Sequence, residues 1–174
     1  MRTLVAFMTA VVLASPAFAQ VQKQERAGIR NFSRVDATVS CGGAVDASAY
    51  PGLKQDGFVS VINLRLASEP GANIDEARAA AASAGLNYIH LPFNVAQPDS
   101  AVVDRFLAAV STPANQPVLV HCGSANRVGG VWMIKRVLQD GWAIDRARAE
   151  AEAIGLNSPQ MAAFALEYIN THRR

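Results

Sequence analysis

The chain has 174 residues, a formal net charge of +2 and 51% apolar residues, which suits one domain with its own core. No basic stripe with interleaved aromatics is present, so nucleic-acid binding has no support. Two cysteines, Cys41 and Cys122, are too few for a disulfide scaffold, and no C-x-x-C or similar spacing points to a metal.

Arg2 gives a short positive start, an apolar run follows from Leu4 to Ala14, and Ser15-Pro16 breaks it ahead of Ala17-Phe18-Ala19. This is the layout of a secretory signal peptide with a small-x-small cleavage site. The competing reading, a membrane anchor, needs roughly 20 apolar residues, about twice this run. Residues 1–19 are therefore expected to be removed, leaving a periplasmic or secreted protein that begins at Gln20 and has no membrane span. Residues 20–35 are polar, without a sustained period, and read as a loosely ordered leader. The domain proper is expected over 36–174.

From there strand-like and helix-like stretches alternate. A first strand is expected around Ala37–Ser40, then a short helix capped by Asp46 and closed before Gly57. The β-branched run Phe58–Leu64 has strand length. Asp75–Ala84 is an alanine-rich helix stopped by Gly85. Tyr88–Leu91 is a second buried strand, ended by Pro92. Asp99 or Ser100 caps a helix with Val103, Phe106, Leu107 and Val110 on one face. Val118–Val120 is a third apolar strand, and a helix begins near Arg127. Helices over Ile144–Ile154 and Pro159–Thr171 follow, the second opened by Ser158-Pro159. This order predicts an α/β fold, a mostly parallel four- to five-stranded sheet flanked by helices.

The chemistry concentrates in His121-Cys122-Gly123-Ser124-Ala125-Asn126-Arg127, between a buried strand and a helix start, where ligands of open α/β sheets sit. Amides from Gly123 through Arg127 lack helical partners and suit a tetrahedral oxyanion. Arg127 adds a planar fork of donors for two oxygens of a phosphate-like group. The same positive field favours the thiolate of Cys122, the form that acts as a nucleophile.

Val118-Leu119-Val120-His121-Cys122, followed by a small-residue loop and Arg127, resembles the cysteine-dependent tyrosine and dual-specificity phosphatase superfamily. Val61-Ile62-Asn63-Leu64-Arg65 with Glu69, the helix end Ala84-Gly85-Leu86 and Tyr88-Ile89-His90-Leu91-Pro92 are similar to its bacterial phosphatase-like branch, the β-lactamase-hydrolase-associated or DUF442-type domain. The resemblance runs from about Phe32 to at least Gly141. It implies a phosphatase fold and a two-step reaction without a cofactor. Cys122 attacks phosphorus, the loop amides and Arg127 hold the phosphocysteine, and water releases phosphate. His121 supports the loop and helps keep the thiol ionised. The partner implied is a small phosphorylated substrate or a phosphoprotein.

Three features depart from the superfamily pattern. Four residues, Gly123 to Asn126, separate cysteine from arginine instead of the usual five, a spacing shared with rhodanese-type sulfurtransferases. Val128 replaces the usual hydroxyl residue after the arginine, leaving Ser124 or Asn126 as substitutes. The loop expected to carry a general acid reads Phe93-Asn94-Val95-Ala96-Gln97-Pro98-Asp99. Asn94 cannot donate a catalytic proton, and Asp99 is a candidate acid that competes with its own role as a helix cap. Sulfur transfer through a Cys122 persulfide and non-catalytic oxyanion binding therefore stand beside phosphate ester hydrolysis. Arg65 with Glu69 reads as a structural pair, His90 as a strand histidine, and Trp132 and Trp142 as packing residues. Cys41 lies after the first strand, where its readings are a buried free thiol or a redox partner for Cys122.

Overall fold

The structure, a computed structural model, describes residues 21–173, so the expected signal peptide lies outside the described residues. Its strands are β1 (Gln22–Lys23), β2 (Ser33–Arg34), β3 (Val39–Gly42), β4 (Ser60–Asn63), β5 (Asn87–His90) and β6 (Val118–His121). Its helices are α1 (Tyr50–Gln55), α2 (Ile74–Ser83), α3 (Ser100–Ser111), α4 (Asn126–Leu138), α5 (Ile144–Ile154) and α6 (Pro159–His172). The sheet order is β1-β2-β3-β6-β4-β5.

The four longer strands are parallel and share one register. Val39, Val118, Ser60 and Asn87 lie side by side at one end, and Gly42, His121, Asn63 and His90 at the other. The loops after all four strands therefore leave from a single carboxyl edge. Alternation divides the side chains between two cores. Val61 and Leu119 point toward Tyr50, Leu53, Ala77 and Ala81 of α1 and α2. Ile62, Val118 and Val120 point toward the core built on α3 to α6. Strands covered on both faces read as near-continuous apolar runs, which is why Val118–Val120 was legible as a strand.

The segment expected to be a loosely ordered leader is instead built into the sheet. β1 and β2 pair antiparallel with each other, and β2 pairs antiparallel with β3, bringing the sheet to six strands. Ile29, Phe32 and Val35 of this segment are buried. Two-residue strands joined by local turns carry no alternation long enough to detect, which accounts for the different expectation.

The caps at Asp99 and Ser158 form as expected. The Asp99 carboxylate accepts from the Ala101 amide at 2.9 Å, and the Ser158 hydroxyl accepts from the Met161 amide at 3.3 Å. Asp46 occupies a cap position, but its carboxylate makes no capping hydrogen bond.

Helix α4 runs through the centre of the second core, with Val128, Val131, Trp132, Met133 and Ile134 all buried. It can lie this close to α5 because Gly129 has no side chain. A Cβ there would stand 2.6 Å from the carbonyl oxygen of Ala151. Farther along α4, Arg136 is buried between the Trp132 and Trp142 rings, 4.6 and 4.4 Å from their centroids. Its Nε donates to Glu150 at 2.6 Å, and the Trp132 indole donates to the same carboxylate at 2.7 Å. Both tryptophans thus serve packing, as the sequence suggests.

Candidate active site

Cys122 stands immediately beyond β6, 1% exposed, its amide donating to the Gly42 carbonyl at 3.3 Å. The chain then turns through Gly123, Ser124 and Ala125, the last in the left-handed region at φ 74°, and enters α4 at Asn126. The helical ladder opens only at Gly129, whose amide donates to the Ala125 carbonyl at 2.9 Å. Among the described residues, no protein acceptor meets the amides from Gly123 through Val128. A row of unspent donors at a helix N-terminus, beside a sulfur, is an anion-binding arrangement.

Groups from distant parts of the chain hold that loop. The Ala44 amide donates to the Gly123 carbonyl at 3.1 Å, and Asn31 Nδ2 donates to the Ser124 carbonyl at 3.1 Å. Asn126 Oδ1 accepts from the amides of Asn157 and Ser158, each at 3.0 Å. Gly155 lies against the loop so closely that a Cβ there would sit 3.0 Å from the Ala125 Cβ. Its φ of +150° also disfavours any side chain.

Arg127 is anchored on the opposite flank. Its Nη1 and Nη2 donate to the two oxygens of Glu69 at 2.5 and 2.8 Å, and Nη1 also reaches the carbonyls of Leu64 and Phe93 at 3.1 and 3.2 Å. Glu69 further accepts from the Leu66 amide at 2.8 Å and from Arg65 Nε at 3.3 Å. Burial alone would raise the Glu69 pKa, but the bonds from Arg127, Leu66 and Arg65 prevail and hold it at about 2. Burial likewise works against the Arg127 charge, yet Glu69 and the neighbouring Cys122 raise its pKa above the usual arginine value. The Arg127 guanidinium is also engaged by the Cys122 side chain. The ion-pair and anion-binding readings of Arg127 are thus compatible. Glu69 clamps the guanidinium, and Cys122, the sulfur beside the loop amides, is its other charged partner.

Glu69 is the site residue that the sequence did not disclose in full. Its spacing to Arg65 gave the structural pair, and that pair forms. Arg65 spends its other donors on the carbonyls of Gly71 and Pro70 at 2.8 and 2.7 Å. Glu69 is the only carboxylate between Arg65 and Asp75, which is the signal that could have linked it to the loop. Asn31 had no such signal.

Other expectations change. His121 is buried under the loop, neither ring nitrogen has a hydrogen-bond partner, and burial pushes its pKa down to about 4. A neutral imidazole supplies no positive charge to the thiol, and the ring packs beneath the loop. Cys41 and Cys122 are both buried free thiols, so the redox pairing is not formed. Cys41 stands beside Val120, two residues short of Cys122 on the neighbouring strand, and burial raises its pKa. Asp99 caps α3 through Oδ1, which accepts from the Ala101 amide, and stays exposed. Asn94 Oδ1 accepts from the Ala96 amide at 3.0 Å. Asn126 is spent on the α5–α6 connection, which leaves the exposed Ser124 as the remaining hydroxyl of the loop, while Val128 is buried.

Solved structures share this architecture. The DUF442 protein of Shewanella putrefaciens CN-32 superposes with a TM-score of 0.73 at 24% identity, over 84% of this chain and 96% of that one. P. aeruginosa TpbA, solved as a Cys-to-Ser variant with phosphotyrosine, gives 0.68 at 21% identity, over 91% and 93%. The core catalytic domain of the PP-IP phosphatase SIW14 of S. cerevisiae gives 0.64 at 20% identity, over 80% and 85%. At these identities the likeness is one of fold. No curated protein matches the chain. Residues 31–139 match the family described as beta-lactamase hydrolase-like protein, phosphatase-like domain. The chain belongs to that family.

Proposed function

We propose that the protein is an exported cysteine-dependent phosphatase that hydrolyses a phosphate ester through a phosphocysteine on Cys122. The observation that carries this reading is the row of partnerless amides from Gly123 to Val128 beside Cys122, with the Arg127 guanidinium engaging the same sulfur. Three non-bridging oxygens of a phosphoryl group match such a ring of donors, and negative charge that builds on them in the transition state is stabilised there. The phosphotyrosine complex of P. aeruginosa TpbA, a protein of the same fold, supports an aryl phosphate as the first substrate to try. Export rests on the Arg2, Leu4–Ala14 and Ala17-Phe18-Ala19 pattern, and N-terminal sequencing of the mature protein, expected to start at Gln20, tests it.

Turnover of p-nitrophenyl phosphate by the reduced protein, its inhibition by vanadate and its loss in Cys122→Ser are the expected results. A fully reduced wild-type protein that turns over no phosphate ester would end the proposal. The four-residue spacer keeps sulfur transfer as a second reading. A sulfur-sized mass gain on Cys122 after thiosulfate, with no phosphatase turnover, would favour it.

A further inference from the structure

The segment between β1 and β2 is pressed against the cysteine loop and carries a charge that the reaction above does not use. The Arg30 amide donates to the Ala44 carbonyl at 2.9 Å, and the Ala44 amide donates to the Gly123 carbonyl at 3.1 Å. Two hydrogen-bonded spacings of about 4.8 Å each thus separate the Arg30 backbone from the loop. Asn31, the next residue, takes a left-handed φ of 49°, which is unfavourable for an L-residue, and its Nδ2 holds the Ser124 carbonyl. Gly43 lies between the two segments, where a Cβ would stand 3.1 Å from both the Arg30 Cβ and the Gly123 carbonyl oxygen. Of the arginines around the site, Arg26 is paired with Asp56, and Arg65 and Arg127 with Glu69. The exposed Arg30 guanidinium has no partner among the described residues. It borders two hollows, one of about 380 Å³ shared with Lys23, Glu25 and Asn31, the other of about 300 Å³ shared with Arg26, Ala44 and Asp46. Lys23 is spent on the Ile154 carbonyl at 2.8 Å.

Resting on the phosphatase reading above, we propose that Arg30 is a specificity-determining residue. It takes a second anionic group of a small substrate, a phosphate or a carboxylate, while the loop amides and Arg127 hold the phosphate that reacts. The charges around it give Arg30 this role. Glu25 and Asp46 put one carboxylate in each hollow, and neither forms an ion pair with Arg30. Without Arg30 both hollows would repel an anion. With it, a planar fork of donors stands ready for two oxygens of one group. The hollow beside Asn31 has the size of a small-molecule site, about 300–1,000 Å³, which favours a small phosphate with a second charge over a phosphoprotein. Asn31 joins the two functions, because the residue that fastens the Ser124 carbonyl also fixes where Arg30 leaves the backbone.

The test compares m-carboxyphenyl phosphate with m-carbamoylphenyl phosphate, which release similar phenols and differ by one charge. Resorcinol bisphosphate, corrected for its two equivalent esters, supplies the phosphate arm. Each kcat/KM is taken as a ratio to that of the neutral amide on the same reduced sample, so any loss of folded protein cancels. Wild type is expected to favour a charged member by about fivefold, the scale of one exposed charge-assisted pair, and the member favoured tells carboxylate from phosphate. Added salt should shrink the preference. In Arg30→Gln the ratio should fall to about one, Arg30→Glu should reverse it, and Arg30→Lys should keep part of it. A wild-type ratio near one, a ratio unchanged in Arg30→Gln, or a preference shown only by an acidic phosphopeptide overturns the inference and leaves the phosphatase reading standing. No turnover of any member by reduced wild type removes both.

Discussion

Helix α4 carries two arginines bound to glutamates, and the contrast between them separates scaffold from chemistry. Arg136, near its end, spends every donor nitrogen: Nε and Nη2 on Glu150, Nη1 on Asp140, with Nη2 also 3.4 Å from Asp36. Two indole rings cover it. Nothing is left over for a ligand. Arg127, at the first turn, is clamped just as firmly by Glu69, yet it also engages the Cys122 sulfur beside the loop amides. A buried arginine paired with a carboxylate is therefore no sign of function by itself. What the guanidinium faces beyond its carboxylate, a nucleophilic sulfur or two indole rings, makes the distinction.

Substituting each arginine in turn tests that contrast most severely. Arg127→Lys keeps the charge but loses the fork, and should lower kcat/KM for an aryl phosphate by about a thousandfold, the scale of a lost oxyanion donor. Its thermal stability should stay near wild type. Arg136→Met should do the reverse. It strands Glu150 among apolar groups and should cost about 3 kcal/mol by denaturant titration, with activity per folded molecule retained. Pairing it with Glu150→Leu should recover most of that loss. If Arg136→Met abolished turnover in a folded protein, the division between the two arginines would fail.

Two further measurements sharpen it. Because His121 has its pKa depressed to about 4 from an ordinary 6.5, protons bind the unfolded chain first. Its contribution to stability is whole above pH 6.5 and is lost as pH falls toward 4, by up to about 1.4 kcal/mol per pH unit. Unfolding titrations of wild type and His121→Asn across that window should diverge, the variant losing stability less steeply. Glu69, held at about 2, adds its own loss only below its unfolded value near 4.5. Glu69→Gln should lower kcat for aryl phosphates about tenfold through misplacement of Arg127. Its KM should change less, since the amide ring remains. An unchanged kcat would make Glu69 a structural partner like Glu150.

Much of this was legible in the sequence, and for identifiable reasons. The run Val118–Val120 before His121 and Cys122 is apolar because helices cover both sheet faces, and α5 announces itself from Ile144 to Ile154 by periodicity. The loop could be located because a small-residue turn between such a strand and a helix leaves amides unpaired. Glu69 was visible only as the neighbour of Arg65, since its second partner lies 58 residues away. The role of Phe32 was hidden because the turns that bury it pair strands of two residues. The neutrality of His121 depends on burial, which no local pattern encodes.

The seat under the loop has a practical consequence. Gly155 and the amides of Asn157 and Ser158, which fix Ala125 and Asn126, all lie past residue 139, where the family match ends. A fragment cut to the matched boundaries would retain the nucleophile and its arginine while losing the floor they stand on. Swapping the catalytic segment into a relative, or trimming the protein for expression, must therefore carry the last two helices along.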